Sequence, residues 1–147
     1  MNEQNISTKP AVWFWIVSGI MLLWNLMGLL AFAMIMSIPT TKESLAAAGF
    51  NEAQQDLISS TPSWVNIAFG VAVIFGVLGC IAMLLRKKLA IPLFIISLLG
   101  VIAQSTYVFL LSNSVEVMGI GLTPVVIPIA IGLVPLSIFF AKKRWLR

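Results

Sequence analysis

The sequence predicts an all-α integral membrane four-helix bundle with a short helical extracytoplasmic loop, in a single domain covering 1–147, and three observations carry that prediction. Four apolar segments, 11–38, 64–85, 89–111 and 122–141, contain no Asp, Glu, Lys or Arg, and each can cross a hydrocarbon core of about 30 Å at about 1.5 Å per helical residue. Hydrophobic residues make up 60% of the chain, charged residues only 10%, and the mean hydropathy is +1.04. Ordinary soluble domains carry about 25% charged residues, so lipid is the solvent for most of these side chains. The basic residues are unevenly placed: Lys9, Arg86, Lys87, Lys88, Lys142, Lys143, Arg144 and Arg147 lie in the two tails and the connection after the second segment, and Lys42 alone lies elsewhere. By the positive-inside rule both termini are expected in the cytoplasm and the loop 39–63 outside, as in a multi-pass protein of the inner (plasma) membrane. The same basic residues account for the net charge of +4 as topology signals and headgroup contacts, so no nucleic-acid partner is expected.

The first segment carries Ala31-Phe32-Ala33, which has the form of a signal-peptidase site. The apolar run continues past it through Met34, Ile35 and Met36 and is longer than the roughly 7 to 15 residues of a signal-peptide core, so an uncleaved span is expected. Trp13, Trp15, Trp64 and Trp145 stand near span ends, where indoles anchor at the headgroup level. Trp24 lies mid-span, where its N–H needs a partner, and is expected to pack between helices. Asn25 is near the bilayer centre and should point into the bundle, either for an interhelical hydrogen bond or for contact with a solute. Met21, Met27, Met34 and Met36 are read as gap fillers rather than soft-metal ligands.

The loop 39–63 is the main polar segment. Thr40 with Glu43, and Asn51 with Gln54, have capping-box spacing, and Gly49 is a natural stop between them. Two short helices are expected, with Leu45, Phe50, Leu57 and Ile58 turned toward the bundle or headgroups and Glu43, Glu52 and Asp56 toward water. In the second span Ala68, Ala72, Gly76 and Cys80 recur every four residues with Gly79 beside them, a small-residue ridge that permits close helix approach. Cys80 is read as a packing residue. Arg86-Lys87-Lys88 is so short a connection that spans two and three must form an antiparallel hairpin. In the third span Ser97, Gly100, Gln104 and Tyr107 fall within an arc of about 80°, the most polar stripe in the membrane. Gln104 there is open to a structural or a solute-contacting role. Connection 112–121 is polar, then glycine-rich, and the fourth span places Pro124, Pro128 and Pro135 within about 40° of arc, which should bend it.

Catalytic chemistry finds little support. The chain has no histidine, and all five carboxylates (Glu3, Glu43, Glu52, Asp56, Glu116) lie outside the spans. A triad, a zinc site and an intramembrane carboxylate relay therefore cannot be assembled, and no cofactor or metal is expected. Glu52 and Asp56, four residues apart, are read as a solvated helix face. The segment TPSWVNIAFGVAVIFGVLGCIAMLLRKKLAIPLFIISLLGVIAQ (61–104) resembles a group of small four-span bacterial inner-membrane proteins that often carry an automatic "sugar transporter" label. The resemblance rests on Thr61-Pro62-Ser63-Trp64, the Ala68-Phe69 to Gly76 run, Gly79, Arg86-Lys87 and Phe94 to Leu99, and it implies no particular site residues. Two functions follow as expectations: a non-enzymatic assembly or accessory subunit that docks another membrane protein or a second copy through small-residue faces, which composition favours, and a transporter or permeation protein for a small neutral solute such as a sugar.

Overall fold

A computed structural model describes residues 9–147; Glu3, counted among the carboxylates above, lies outside them. The described chain is helical, with the order α1 (Val12–Ser37), α2 (Lys42–Ala47), α3 (Glu52–Ser60), α4 (Ser63–Leu84), α5 (Ala90–Thr106, continued as a π-helical turn over Tyr107–Leu111), α6 (Ser114–Met118) and α7 (Thr123–Lys142). Four of these, α1, α4, α5 with its π turn, and α7, are long and apolar enough to cross a membrane. Their limits fall within one residue of the hydropathic segments because a charged or turn-forming residue closes each run.

The long helices pack in the order α1, α4, α5, α7. α4 is the central element, burying Ala68, Ala72, Val73, Gly76, Gly79, Cys80 and Met83 between its neighbours, whereas α1 buries only Phe14 and Ser18. The tightest approach is between α4 and α5. A Cβ on Gly100 would stand 2.7 Å from both the carbonyl oxygen of Ala68 and the amide nitrogen of Ala72, and a helical backbone has no rotamer with which to retreat. Ser97 strengthens the same seam, its hydroxyl donating to the Ala72 carbonyl at 2.6 Å.

At the end bearing the basic residues, two helix termini are locked together. α4 and α7 both finish in a Schellman motif: Arg86 N–H and Lys87 N–H reach the carbonyls of Met83 and Ala82, and Arg144 N–H and Trp145 N–H reach those of Ala141 and Phe140. The left-handed residue is arginine in both, with φ of 59° at Arg86 and 57° at Arg144, a place usually held by glycine because a Cβ is disfavoured there. The C-terminal segment then crosses under the hairpin turn: Arg147 N–H donates to Arg86 O, Lys88 N–H to Arg147 O, and Arg86 Nε–H to Trp145 O. Inside this latch Trp13, Phe14, Phe140 and Trp145 stack with centroids 4.8 to 5.9 Å apart, tying α1 to α7 through their rings. Trp13 and Trp145, expected as interface anchors, thus pack within the bundle.

At the opposite, loop end, α2 and α3 form the expected helical pair. Asn51 and Gln54 complete a reciprocal capping box. Gly49 has φ of +90°, so that Phe50 N–H and Gly49 N–H can reach the carbonyls of Leu45 and Ala46 in a third Schellman turn. The first cap is Thr41, accepting from Ser44 N–H, and not Thr40. The two threonines offer the same oxygen, and the helix starts where Lys42 can meet Asp56 at 2.8 Å across the pair. That contact raises the Lys42 pKa, first through the hydrogen bond and then through the carboxylate charge. Leu45 and Leu57 are buried, and Gln55 is too, donating to Phe50 O at 2.6 Å.

Candidate functional site

Across the loop-end half of the bundle α1 and α7 do not close on each other, and a partly open cavity of about 380 Å³ separates them. α1 contributes Trp24, Asn25, Met27, Gly28 and Ala31. The floor is Phe69, Ala72 and Val73 of α4 with Phe94, Ser97, Val101, Gln104 and Ser105 of α5, and α7 closes the far side from Thr123 to Leu133, beyond Leu122. No residue of this lining is ionisable. The cavity belongs to the membrane-crossing part of the fold, and its end nearest the latch is stopped by Phe94 and Leu133, both packed into the aromatic core.

Three helices meet at its deepest polar point. Asn25 Nδ2 donates to Met21 O at 2.9 Å and to Cys80 Sγ at 3.6 Å, leaving Oδ1 against Gly76, where an added Cβ would overlap it; that same Cβ would also lie 3.3 Å from Ser97 Oγ. Asn25 therefore faces inward and joins α1 to α4, and it is one of the residues that line the cavity. The small residues Ala68, Ala72, Gly76, Gly79 and Cys80 serve this convergence: Gly79 accommodates the Phe94 ring, which a Cβ would approach to 2.6 Å.

The polar stripe expected on α5 divides into three. Ser97 is spent on Ala72 O, Gln104 enters the cavity, and Tyr107 is buried away from it, edge-on to Trp64 at 5.8 Å. The winding changes to the wider π form at Tyr107, so a projection at 3.6 residues per turn no longer holds beyond that point. Gln104 makes no side-chain hydrogen bond to any described residue, and neither does the Trp24 indole N–H. The sequence singled out Gln104 but missed Trp24 as a cavity residue; its mid-span position was the available signal. The methionines also differ from expectation. Met83 is buried and Met21 packs on the core, but Met27, Met34 and Met36 are exposed, Met27 at 66%, because α1 presents only one face to α4. Ser18 Oγ is buried without a partner.

Fold and cavity together define the class: a membrane-spanning helical protein with an uncharged internal cavity. No family model, curated protein or solved structure matches the chain.

Proposed function

We propose that this chain is a non-enzymatic multi-pass membrane protein that binds a small neutral molecule in the cavity between α1 and α7, with its latched basic end in the cytoplasm. One observation carries this reading. The Gln104 and Trp24 side chains line a cavity among apolar residues, where a polar group without a partner is costly, and no described residue hydrogen-bonds to either side chain. A bound molecule with donor and acceptor groups satisfies them. The lack of ionisable lining selects against a charged ligand, since no counter-charge is present to offset its desolvation.

The competing assembly reading draws on the small residues of α4. Those residues are already covered by α1 and α5, so they leave no free face for a partner. The orientation rests on the eight-to-one placement of basic residues, and the resemblance to small bacterial inner-membrane proteins agrees with that compartment.

The test is purified protein in liposomes with a panel of neutral solutes, wild type against Gln104→Leu at matched folded amounts. Binding or flux of a responsive solute should fall about tenfold while thermal stability changes little, because the amide forms no bond within the bundle. Unchanged uptake across the panel, together with copurification of a defined membrane partner, would return the assembly reading to first place. For orientation, a cysteine at exposed Ala53 should react with an impermeant thiol reagent in intact cells and one at Lys143 should not.

A further inference from the structure

We propose that the molecule held in this cavity is a single-chain neutral amphiphile, with an alkyl or isoprenoid tail and an uncharged hydrogen-bonding head such as a hydroxyl, amide or carbonyl, and that it enters from the bilayer between α1 and α7. The inference rests on the binding reading above and narrows its ligand from neutral solutes in general to lipid-soluble ones.

The first argument is the ratio of polar to apolar lining. A sugar carries a hydroxyl on nearly every carbon, and each one buried without a partner costs roughly 1 to 3 kcal/mol. The polar residues of the lining are Trp24, Asn25, Ser97, Gln104, Ser105 and Thr123, of which Ser97 is already spent on Ala72 O, while Met27, Val101 and Val126 line much of the rest and the latch end, at Phe94, Ile129 and Leu133, is wholly apolar. That distribution suits one head and one tail. The second is charge: with no ionisable group in the lining, a carboxylate or phosphate head would be buried without compensation. The third is volume. About 380 Å³ lies at the low end of the roughly 300 to 1,000 Å³ usual for ligand pockets, suited to one chain.

The route follows from how the helices are joined. α1 and α7 are held by rings at the latch and are kept apart by the cavity above it. The residues that line the cavity at that seam are apolar and exposed, with Met27 and Ala31 on α1 and Leu122 at the start of α7. A lipid-soluble molecule thus reaches the cavity sideways without shedding its tail into water.

The probe is a diazirine-bearing dodecanol, photocrosslinked to the full chain in nanodiscs and mapped by mass spectrometry. Saturable labelling is expected on the peptides that contain Trp24 to Ala31 and Val126 to Leu133, removed by excess unlabelled dodecanol and not by glucose. Ala130→Phe, which places a ring in the cavity, should lower labelling at least about fivefold, whereas Leu30→Phe on the lipid-facing side should leave it unchanged. Val126→Trp replaces Ala130→Phe if the latter does not fold. Protection by glucose but not by dodecanol overturns the amphiphile assignment and leaves a neutral-solute cavity standing. Labelling that is unsaturable and equal in wild type and the filled variant overturns both, since the probe then reports only lipid at the protein surface.

Discussion

The two ends of the bundle use the same four helices in opposite ways. At the basic end every route between helices is occupied: two Schellman turns hydrogen-bond to each other through Arg86 and Arg147, and Phe14 and Phe140, neither with any exposed surface, fill the interior behind them. In the loop-end half α4 and α5 remain tightly joined through Gly100, but α1 and α7 are separated by the cavity. The difference teaches that in lipid, where no hydrophobic expulsion drives helices together, a seam closes only where packing or hydrogen bonds are specifically supplied. From α7 the α1/α7 seam receives the rings of Phe139 and Phe140 at one end and no aromatic ring at the other.

Removing the rings should produce the largest effect. Phe140→Ala empties the centre of the aromatic cluster and should cost about 3 kcal/mol, with a lower Tm in detergent and new reactivity toward thiol reagents of a cysteine placed at the buried Ser137. If Tm held and the cysteine stayed protected, the rings would not be the seal. Gly100→Ala attacks the wall common to both halves. The added methyl meets backbone, so a loss of about 1 to 3 kcal/mol is expected. Gly19→Ala, with nothing within 4 Å of the new Cβ, should be neutral or slightly stabilising. Equal Tm for the two variants would remove Gly100 from the helix contact.

The twin caps allow a finer comparison. Arg144 is exposed at its left-handed position, and Arg144→Gly should stabilise the fold by about 0.5 to 1 kcal/mol by relieving the Cβ clash. Arg86→Gly relieves the same clash but loses the Nε–H bond to Trp145 O, so its Tm should fall below that of Arg144→Gly; the reverse order would deny Arg86 its anchoring role. The smallest effect is expected at the Lys42–Asp56 pair, whose side chains are 71% and 65% exposed. Because the folded state raises the lysine pKa, its contribution is full below the ordinary value of 10.5 and is lost as pH rises through the higher folded value. Asp56→Asn should therefore leave the neutral-pH Tm nearly unchanged, and the small difference from wild type should vanish in strongly alkaline buffer.

Much of this architecture was legible in the residues. Hydropathy marks the four long helices, i,i+3 spacing marks the Asn51 cap, Gly49 marks the turn between α2 and α3, and the four-residue recurrence of Ala68, Ala72, Gly76 and Cys80 marks the buried face of α4. These are local or periodic properties, written along one helix or one turn. Asn25 and Gln104 also stood out, because an amide within an apolar run has few places to go.

What only the tertiary structure decided is which of these features meet. Neither arginine at a left-handed cap, nor a C-terminal segment hooked beneath the α4/α5 turn, has a local signature, since arginine carries no preference for that conformation and its bonds come from residues about sixty positions away. The split of the α5 stripe depended on which neighbour each residue meets, Ala72 O beside Ser97 and Trp64 beside Tyr107, which no period along one helix can register. The cavity belongs to no single segment: four helices wall it, and α1 and α7, from opposite ends of the chain, stand apart where α7 carries no aromatic ring. Sequence by itself determined which groups must avoid lipid and where each helix runs; the crossing of the helices determined that Ser97 finds a carbonyl while Gln104 faces an open space.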